Sequence, residues 1–247
     1  MLKFFRFCWL LTLLAILSGC SILRAAPAKL SGFLPHDELL MENRERAPFH
    51  GTYVPNVSRF DLVQSKYRKV FLAPLELGPL RASLSARMFS SETLNERVEE
   101  AESLGSYFEN RFRMELEQRG HAIVDAPTSD SIAWEIAIVE LEPSAAAVNV
   151  AATAAGFFVP GTGLIKQFTK GSVAVEAILR DGNDGSVLAE FRDRESDKAA
   201  IITLKDFQRY SHTRSALDEW AQQFAELSTT PSSVQVEEGL PIEISPF

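Results

Sequence analysis

The sequence has few of the residues that covalent and metal chemistry need. Only two of its 247 residues are cysteines, and its four histidines, His36, His50, His121 and His212, are scattered without an i,i+4 pair, so no zinc site is indicated. The strained G-x-S-x-G turn that presents a nucleophilic serine is absent. Its 25 basic residues are outnumbered by 33 acidic ones, and the net charge of −8 argues against nucleic acid binding. We therefore expect no enzymatic activity, no metal and no nucleic acid partner.

The amino-terminal segment has the parts of a secretory signal. Lys3 and Arg6 precede an apolar run from Phe7 to Leu17. This run has about a dozen residues, short of the roughly twenty that a membrane-spanning helix needs, so we expect the segment to be removed. Its loss would leave 23 basic and 33 acidic residues, a formal charge of −10.

The signal ends in Leu17, Ser18, Gly19 and Cys20, which resemble the lipobox of bacterial lipoprotein precursors. The resemblance implies a diacylglycerol on the Cys20 thiol, cleavage before Cys20 and acylation of the new amino terminus. Three acyl chains would anchor the protein persistently, because two lipid signals already suffice. Since Cys8 is lost with the signal, no free thiol would remain for a disulfide or a nucleophile. The alternatives are an ordinary signal peptide with a chance cysteine and an uncleaved anchor.

The residue after the cysteine influences sorting in lipoproteins of this type. Here it is Ser21 and not an acidic residue, which favours the outer membrane. We therefore expect a protein anchored in the outer membrane and facing the periplasm, with the covalent lipid on Cys20 as its only cofactor.

Two segments predict amphipathic helices. From Ser91, apolar residues recur every three or four positions up to Leu116, with Thr93 and Glu96 as a capping box and Gly120 at the C′ position. A second helix is predicted to start near Thr203, where Asp206 completes a capping pattern, and to run to residue 227.

Strands are predicted at residues 69–77, with Pro74 at an edge or bulge, and at residues 122–124 and 131–141. Residues 172–180 and 186–193 predict a hairpin through the turn at 181–185. Asp181, Asn183 and Asp184 in this turn lack the ligand spacing of an EF-hand. The order of elements predicts an α+β domain with a mostly antiparallel sheet and two main packed helices, plus an Ala/Gly-rich helical or loop insertion.

The chain divides into four predicted parts. Residues 1–19 are the signal peptide, 20–31 the lipidated cysteine and a tether, 32–228 a single α+β domain and 229–247 an extended or disordered tail. Residues 31–61 are expected to be a largely irregular lead-in, with at most a short helix at 37–46.

The insertion contains 23 residues without a charge, 143–165. Ala147, Ala151 and Ala155 place small side chains on one helical stripe, which permits close approach to the sheet or to a second copy, and Gly156, Phe157 and Phe158 follow. The leading interpretation is an internal packed helix with a loop. Self-association or membrane contact through these residues and a true bilayer span are the alternatives.

Short motifs are spread over most of the chain after Cys20. They are Ser31-Gly32-Phe33-Leu34, Tyr53-Val54-Pro55, Tyr67-Arg68-Lys69-Val70, Ala73-Pro74, Gly171-Ser172-Val173, Glu176, Asp181, Gly185 and Asp193. With these motifs the chain resembles a family of bacterial lipoproteins catalogued as domain of unknown function 3313. That family carries no established activity, so the resemblance implies no residue roles.

The sequence favours a non-enzymatic accessory or binding domain of the cell envelope, whose partner is an envelope protein, a cell-wall component or the protein itself. A self-associating or membrane-contacting lipoprotein acting through residues 143–165 is one alternative. An uncharacterised enzyme or small-ligand binder is the other, and a deep pocket of convergent titratable groups would favour it.

Overall fold

A computed structural model describes residues 26–42, 49–87, 90–143, 171–196 and 210–236. The helices and strands in this part of the chain are, in order, β1 (Gly51–Tyr53), α1 (Val57–Lys66), β2 (Lys69–Leu72), α2 (Gly78–Ala86), α3 (Ser91–Gln118), β3 (Ala122–Val124), β4 (Ser131–Glu142), β5 (Ser172–Asp181), β6 (Val187–Ser196) and α4 (Ser211–Leu227). A short 3-10 helix, Asp37–Leu39, precedes β1.

The six described strands form one mixed sheet in the order β1-β6-β5-β4-β2-β3. Three pairs of neighbouring strands are antiparallel: β1 with β6, β6 with β5, and β5 with β4. β2 is parallel to both of its neighbours, β4 and β3. This confirms the predicted α+β class and the mostly antiparallel sheet. The hairpin from β5 to β6 is also confirmed, with Gly185 at φ +73° in its turn.

One face of the sheet carries the main core. Alternating residues of the central strands point to this face, among them Trp134 of β4, Leu179 of β5 and Phe191 of β6, and all three are buried. All four described helices contribute to the same core cluster, and α3 and α4 also pack against each other. Phe224 of α4 lies at the centre, with its ring centroid 5.1 Å from that of Trp134 and 5.2 Å from that of Phe49.

The two predicted long helices are present as α3 and α4. α3 is capped one turn earlier than predicted, because the Ser90 Oγ accepts the bond from the Thr93 N–H at 3.2 Å. Gly120 follows α3 at φ +82°, the left-handed conformation that its predicted C′ position requires. The described part of α4 begins at Ser211, and the predicted start near Thr203 and Asp206 lies outside the described residues.

Regular structure begins earlier than the sequence predicts, because β1 and α1 precede Lys69. The irregular lead-in predicted at 31–61 is therefore wrong from Gly51 onward, whereas its described residues before Gly51 are irregular apart from a 3-10 turn, to which the helix proposed at 37–46 is reduced. α1 starts after Asn56, whose side chain accepts a bond from the Arg59 N–H at 2.9 Å. Its inward side holds Phe60, Val63 and the polar Gln64, a weaker apolar pattern than that of α3.

Proline shortens the strand predicted at 69–77. β2 ends at Leu72, and the chain meets β4 again beyond Pro74, where the Glu76 N–H donates to the Ile136 carbonyl at 2.9 Å. β3 pairs only with residues 69–71, so around Pro74 the chain pairs with β4 alone, and the register shifts by one residue between Leu72↔Trp134 and Glu76↔Ala137, in agreement with the predicted edge or bulge. The following α2, which begins at Gly78-Pro79, was not predicted.

Within the described ranges, no helix combines the length and the apolar character that crossing a bilayer requires.

Candidate functional site

The amino-terminal segment, residues 26–42, covers the sheet face opposite the helices, and we call it the strap. Ala137 and Val139 of β4 and Ala174 of β5 form a small buried apolar patch on that face. Ala28 and Phe33 of the strap pack against this patch. The strap therefore gives the sheet a second covered face, and it is the part of the domain nearest in sequence to Cys20.

Two buried carboxylates of neighbouring strands hold the strap in place. Glu176 of β5 accepts the Ser31 N–H at 3.1 Å and the Ser31 hydroxyl at 2.6 Å. Glu190 of β6 accepts the His36 N–H at 3.1 Å and lies 2.5 Å from the His36 Nδ1. Both glutamates are at most 2% exposed. We call these two pairs the clasp, because charge-assisted bonds to buried carboxylates are among the stronger links a surface segment can make.

Burial raises the pKa of the Glu176 carboxyl above its ordinary value, although the two bonds from Ser31 oppose this shift. Nearby Asp37 also raises this pKa, and Arg192 lowers it. A carboxyl whose pKa is higher in the folded state binds more protons there than in the unfolded chain. The folded state therefore loses stability as the pH rises through the window between the two values.

Glu176→Gln is expected to remove this loss of stability while keeping the strap docked. A glutamine carbonyl can accept the Ser31 N–H, and its amide can donate to the Ser31 hydroxyl. The measurement is urea unfolding of both proteins from below the ordinary glutamate pKa up to neutral pH. The variant should gain stability relative to the wild type as the pH rises and then keep a constant advantage. Exposed Glu38→Gln is the matched control, and an equal pH profile for both variants would contradict the assignment.

Arg194 of β6 fixes the point at which the chain after Cys20 meets the sheet. Its guanidinium donates to the Glu140 carboxylate at 2.7 Å, to the Ser172 hydroxyl at 3.2 Å and to the Ala26 carbonyl at 3.2 Å. Glu140 and Ser172 lie at the end of β4 and the start of β5. The strap thus joins the domain at the end of the sheet where β4 leaves and β5 returns.

A second buried network lies on the helix face of β6. The Asp193 carboxylate accepts the His50 N–H at 3.1 Å and the Trp220 Nε1–H at 2.8 Å, and it lies 2.5 Å from the His50 Nδ1. This network ties the chain before β1 to β6 and α4. Asp193 is 4% exposed and Trp220 1% exposed, so the arrangement is a polar joint inside the core with little access for a substrate.

An open groove of about 470 Å³ runs between α1 and the segment after α4. Six of its eight lining residues are of polar type: the lining is Ser58, Asp61, Leu62, Gln64, Ser65, Arg68, Thr229 and Pro231. Its charged groups are already bonded, because the Asp61 carboxylate accepts the Ser232 N–H at 2.7 Å and Arg68 donates to the Gln64 and Tyr67 carbonyls at 2.9 Å each. The groove thus presents a surface suited to contact, with the exposed Leu62 on it.

The acidic side chains of the turn between β5 and β6 form ion pairs with an arginine of α1. Arg59 of α1 donates to Asp181 and to Asp184, at 2.7 Å in each case. These bonds hold the pKa of the Asp184 carboxyl well below its usual range. The turn therefore links α1 to the β5–β6 hairpin through these ion pairs. In the described ranges there is no group of three or more His, Cys, Asp or Glu residues that could hold a metal ion.

Three of the four histidines lie in different environments, and most of the predicted site residues lie outside the described part of the chain. His36 and His50 each face a carboxylate, whereas His121 is buried after α3, and burial lowers the pKa of its imidazole. Outside the described residues lie Leu17, Ser18, Gly19, Cys20, Ala147, Ala151, Ala155, Gly156, Phe157 and Phe158. Their predicted roles stay predictions.

The clasp was not recognised from the sequence, although its signals are present. Glu176 is the only acidic residue in the otherwise apolar run from Val173 to Leu179. Because such a strand is buried, its carboxylate needs a hydrogen-bond donor from elsewhere in the protein. Ser31 and Glu176 both belong to motifs that carried the family resemblance, and the structure joins them across 145 positions.

The comparison with family models agrees with that resemblance. The model described as "Protein of unknown function (DUF3313)" matches residues 51–224, which is more than half of the chain. The chain belongs to this family. The range that matches the DUF3313 model begins at β1 and ends in α4, so it contains the whole described sheet, and the strap precedes it.

Among solved structures, the chain is similar to a PelC dodecamer from Paraburkholderia phytofirmans, at 12% identity and a TM-score of 0.34, over 67% of this chain and 89% of that one. A minor lipoprotein from Acinetobacter baumannii matches at 12% identity and a TM-score of 0.30, over 66% and 93%. A lipoprotein from Neisseria meningitidis matches at 13% identity and a TM-score of 0.20, over 52% and 83%. No activity or assembly is transferred from these structures. No curated protein matches the chain.

Proposed function

We propose that this DUF3313 protein is a lipid-anchored protein of the cell envelope, held in the outer membrane by acylated Cys20 and facing the periplasm, whose domain binds an envelope partner without catalysis. The observation that carries the proposal is the strap. Residues 26–42, which begin six positions after Cys20, pack on the sheet and are bonded to buried Glu176 and Glu190. An acyl anchor on Cys20 would then lie only a few residues from a segment that is held on the domain.

The groove beside α1 is the proposed contact surface for the partner, a protein or a cell-wall component. It is open, and Leu62 is 50% exposed there among polar side chains. Asp61 and Arg68 are engaged by the protein itself, which favours docking over acid-base chemistry in this groove. The proposal includes no enzymatic activity and no cofactor besides the covalent lipid.

The anchor is tested by Cys20→Ala. The variant is expected to lose both processing at the lipobox and incorporation of labelled fatty acid, because the acceptor thiol is gone. The readouts are the mass of the protein and the acyl label in membrane fractions. A mature Cys20→Ala protein that still carried acyl chains would overturn the anchoring proposal.

The binding role is tested by site-specific photocrosslinking in cells. A photoreactive residue replaces Leu62 in the groove or, as a control of similar exposure, Met114 on α3, which is 46% exposed. We expect one reproducible envelope protein or cell-wall fragment to crosslink at position 62 and not at 114, and Leu62→Asp to weaken copurification of that partner at least tenfold. Equal crosslinks at both positions, or none, would count against the groove.

A second candidate function is membrane contact or self-association through residues 143–165. One observation favours it: Pro143 follows Glu142, and β5 returns at Ser172, at the end of the sheet where Arg194 bonds the Ala26 carbonyl. The two described ends of the uncharged insertion therefore lie close to where the strap joins the sheet. This candidate fails if the protein lacking its lipid stays monomeric and does not bind lipid vesicles.

A further inference from the structure

The strap carries several exposed, large apolar side chains, and one of them, Met41, lies where the strap backbone pairs with Thr52 of β1. Leu30 is 43% exposed, Leu39 45% and Met41 68%. These are three of the seven large apolar side chains that are exposed among the described residues, although the strap has only 17 residues. The inner side of the strap is used by the clasp and by Phe33, so these three side chains have no place in the core.

The distance between the strap and the proposed lipid is short. Residues 21–25 alone separate Cys20 from Ala26, and even a fully extended chain covers about 20 Å over this length. Ala26 is fixed to the sheet by Arg194, so this chain cannot lengthen while the strap stays docked. An acylated Cys20 therefore keeps Ala26, where the strap begins, within about 20 Å of the bilayer surface.

The charges of the strap indicate which kind of membrane surface it fits. Lys29 is its only basic residue, against the acidic Asp37, Glu38 and Glu42. Attraction to anionic lipid is therefore not the driving force. Insertion of the exposed apolar side chains Leu30, Leu39 and Met41 among headgroups without net charge is the mode that remains.

We propose that the outer side of the strap lies on the bilayer that holds Cys20, with Leu30, Leu39 and Met41 in the interface of a zwitterionic lipid surface. The proposal rests on the anchoring proposed above. It gives the domain a fixed orientation, with the sheet's strap-covered face toward the lipid. The helices, with the groove beside α1, then lie on the far side of the sheet, where a partner can reach them.

The test uses introduced cysteines, because the lipidated chain has no other free thiol. Leu39→Cys and Met41→Cys are labelled with an environment-sensitive fluorophore, and Met114→Cys on α3 is the control on the helix side. The lipidated proteins are reconstituted in phosphatidylcholine vesicles and titrated with iodide, a quencher that stays in water. We expect quenching at positions 39 and 41 to be about fivefold weaker than at 114. Thermal unfolding of the labelled proteins checks that each variant is folded.

The outcomes separate this proposal from the one on which it rests. Protein that fails to float with the vesicles would refute the anchor itself. Protein that floats but is quenched equally at positions 39, 41 and 114 would overturn the strap contact while leaving the anchor intact. Protection at position 39 that rises with the number of proteins per vesicle would assign this surface to a second copy, which also overturns the proposal.

Discussion

Asp193→Ala is expected to lower the free energy of unfolding by about 3–5 kcal/mol, the usual cost of removing one partner of a buried charged network. The backbone N–H of His50 and the Nε1–H of Trp220 would lose their shared acceptor, and the His50 ring would lose its carboxylate partner, in a buried site. For a domain of this size the midpoint of thermal unfolding should fall by roughly 10 °C. Calorimetry and urea unfolding measure both quantities.

The matched control is Asp130→Ala, which breaks an exposed ion pair. Asp130 accepts from the Lys69 ammonium at 2.8 Å, but the two side chains are 56% and 43% exposed. Exposed pairs contribute about 0–1 kcal/mol, so this variant should be nearly as stable as the wild type. Similar losses for the two variants would show that Asp193 is not the buried acceptor described above.

Phe224→Ala is expected to cost about 3–5 kcal/mol through a cavity at the centre of the core. The Phe224 ring is fully buried and lies beside Phe49, Phe112, Trp134 and Phe191. The ring of Phe49 stacks on it at an interplanar angle of 6°, so the loss should also loosen the chain before β1. Urea unfolding gives the free energy, and the near-ultraviolet circular dichroism of Trp134 reports the local packing.

Met114→Ala on the exposed side of α3 is the control for Phe224→Ala. Met114 is 46% exposed, and substitutions at such positions change stability by about 0.5 kcal/mol or less. If Phe224→Ala were as mild as this control, the aromatic cluster could not be the centre of the core.

The helices and strands that were predicted are those whose buried residues form a regular pattern within one continuous stretch of sequence. In α3 the buried residues Val98, Ala101, Leu104, Phe108 and Phe112 recur at helical spacing within one continuous stretch. In β4 the alternation of Ile132, Trp134, Ile136 and Ile138 identifies the core face. Hairpin pairing of β5 and β6 needs only a turn between two strands, so it too is visible in the sequence.

The elements that were missed depend on partners far along the chain. α1 buries Gln64, which donates to the Leu227 carbonyl at the end of α4, so its inward side does not look apolar. The parallel pairing of β2 with β4 and β3 leaves no local signal, because the strands meet only after α2 and α3 have crossed the sheet.

In the candidate site too, the features with a local sequence motif were predicted, and those that depend on distant partners were missed. The lipobox at Leu17 to Cys20 is a contiguous motif and was read directly, yet it lies outside the described residues. The strap was expected to be part tether and part irregular lead-in, because a segment without period or alternation gives no sign that it packs on a sheet. Only the contacts with Glu176 and Glu190 reveal its role.

The clasp also imposes an order on the maturation of the chain. Ser31 and Glu176 are 145 positions apart, and His36 and Glu190 are 154 apart. Synthesis runs from the amino terminus, so the strap emerges early but has nothing to bind until β5 and β6 have been made and paired. Contacts over such long separations form late, and until then Ala137 and Val139 stay uncovered on a sheet face prone to aggregation. The first part of the domain to be synthesised is thus expected to be the last to dock.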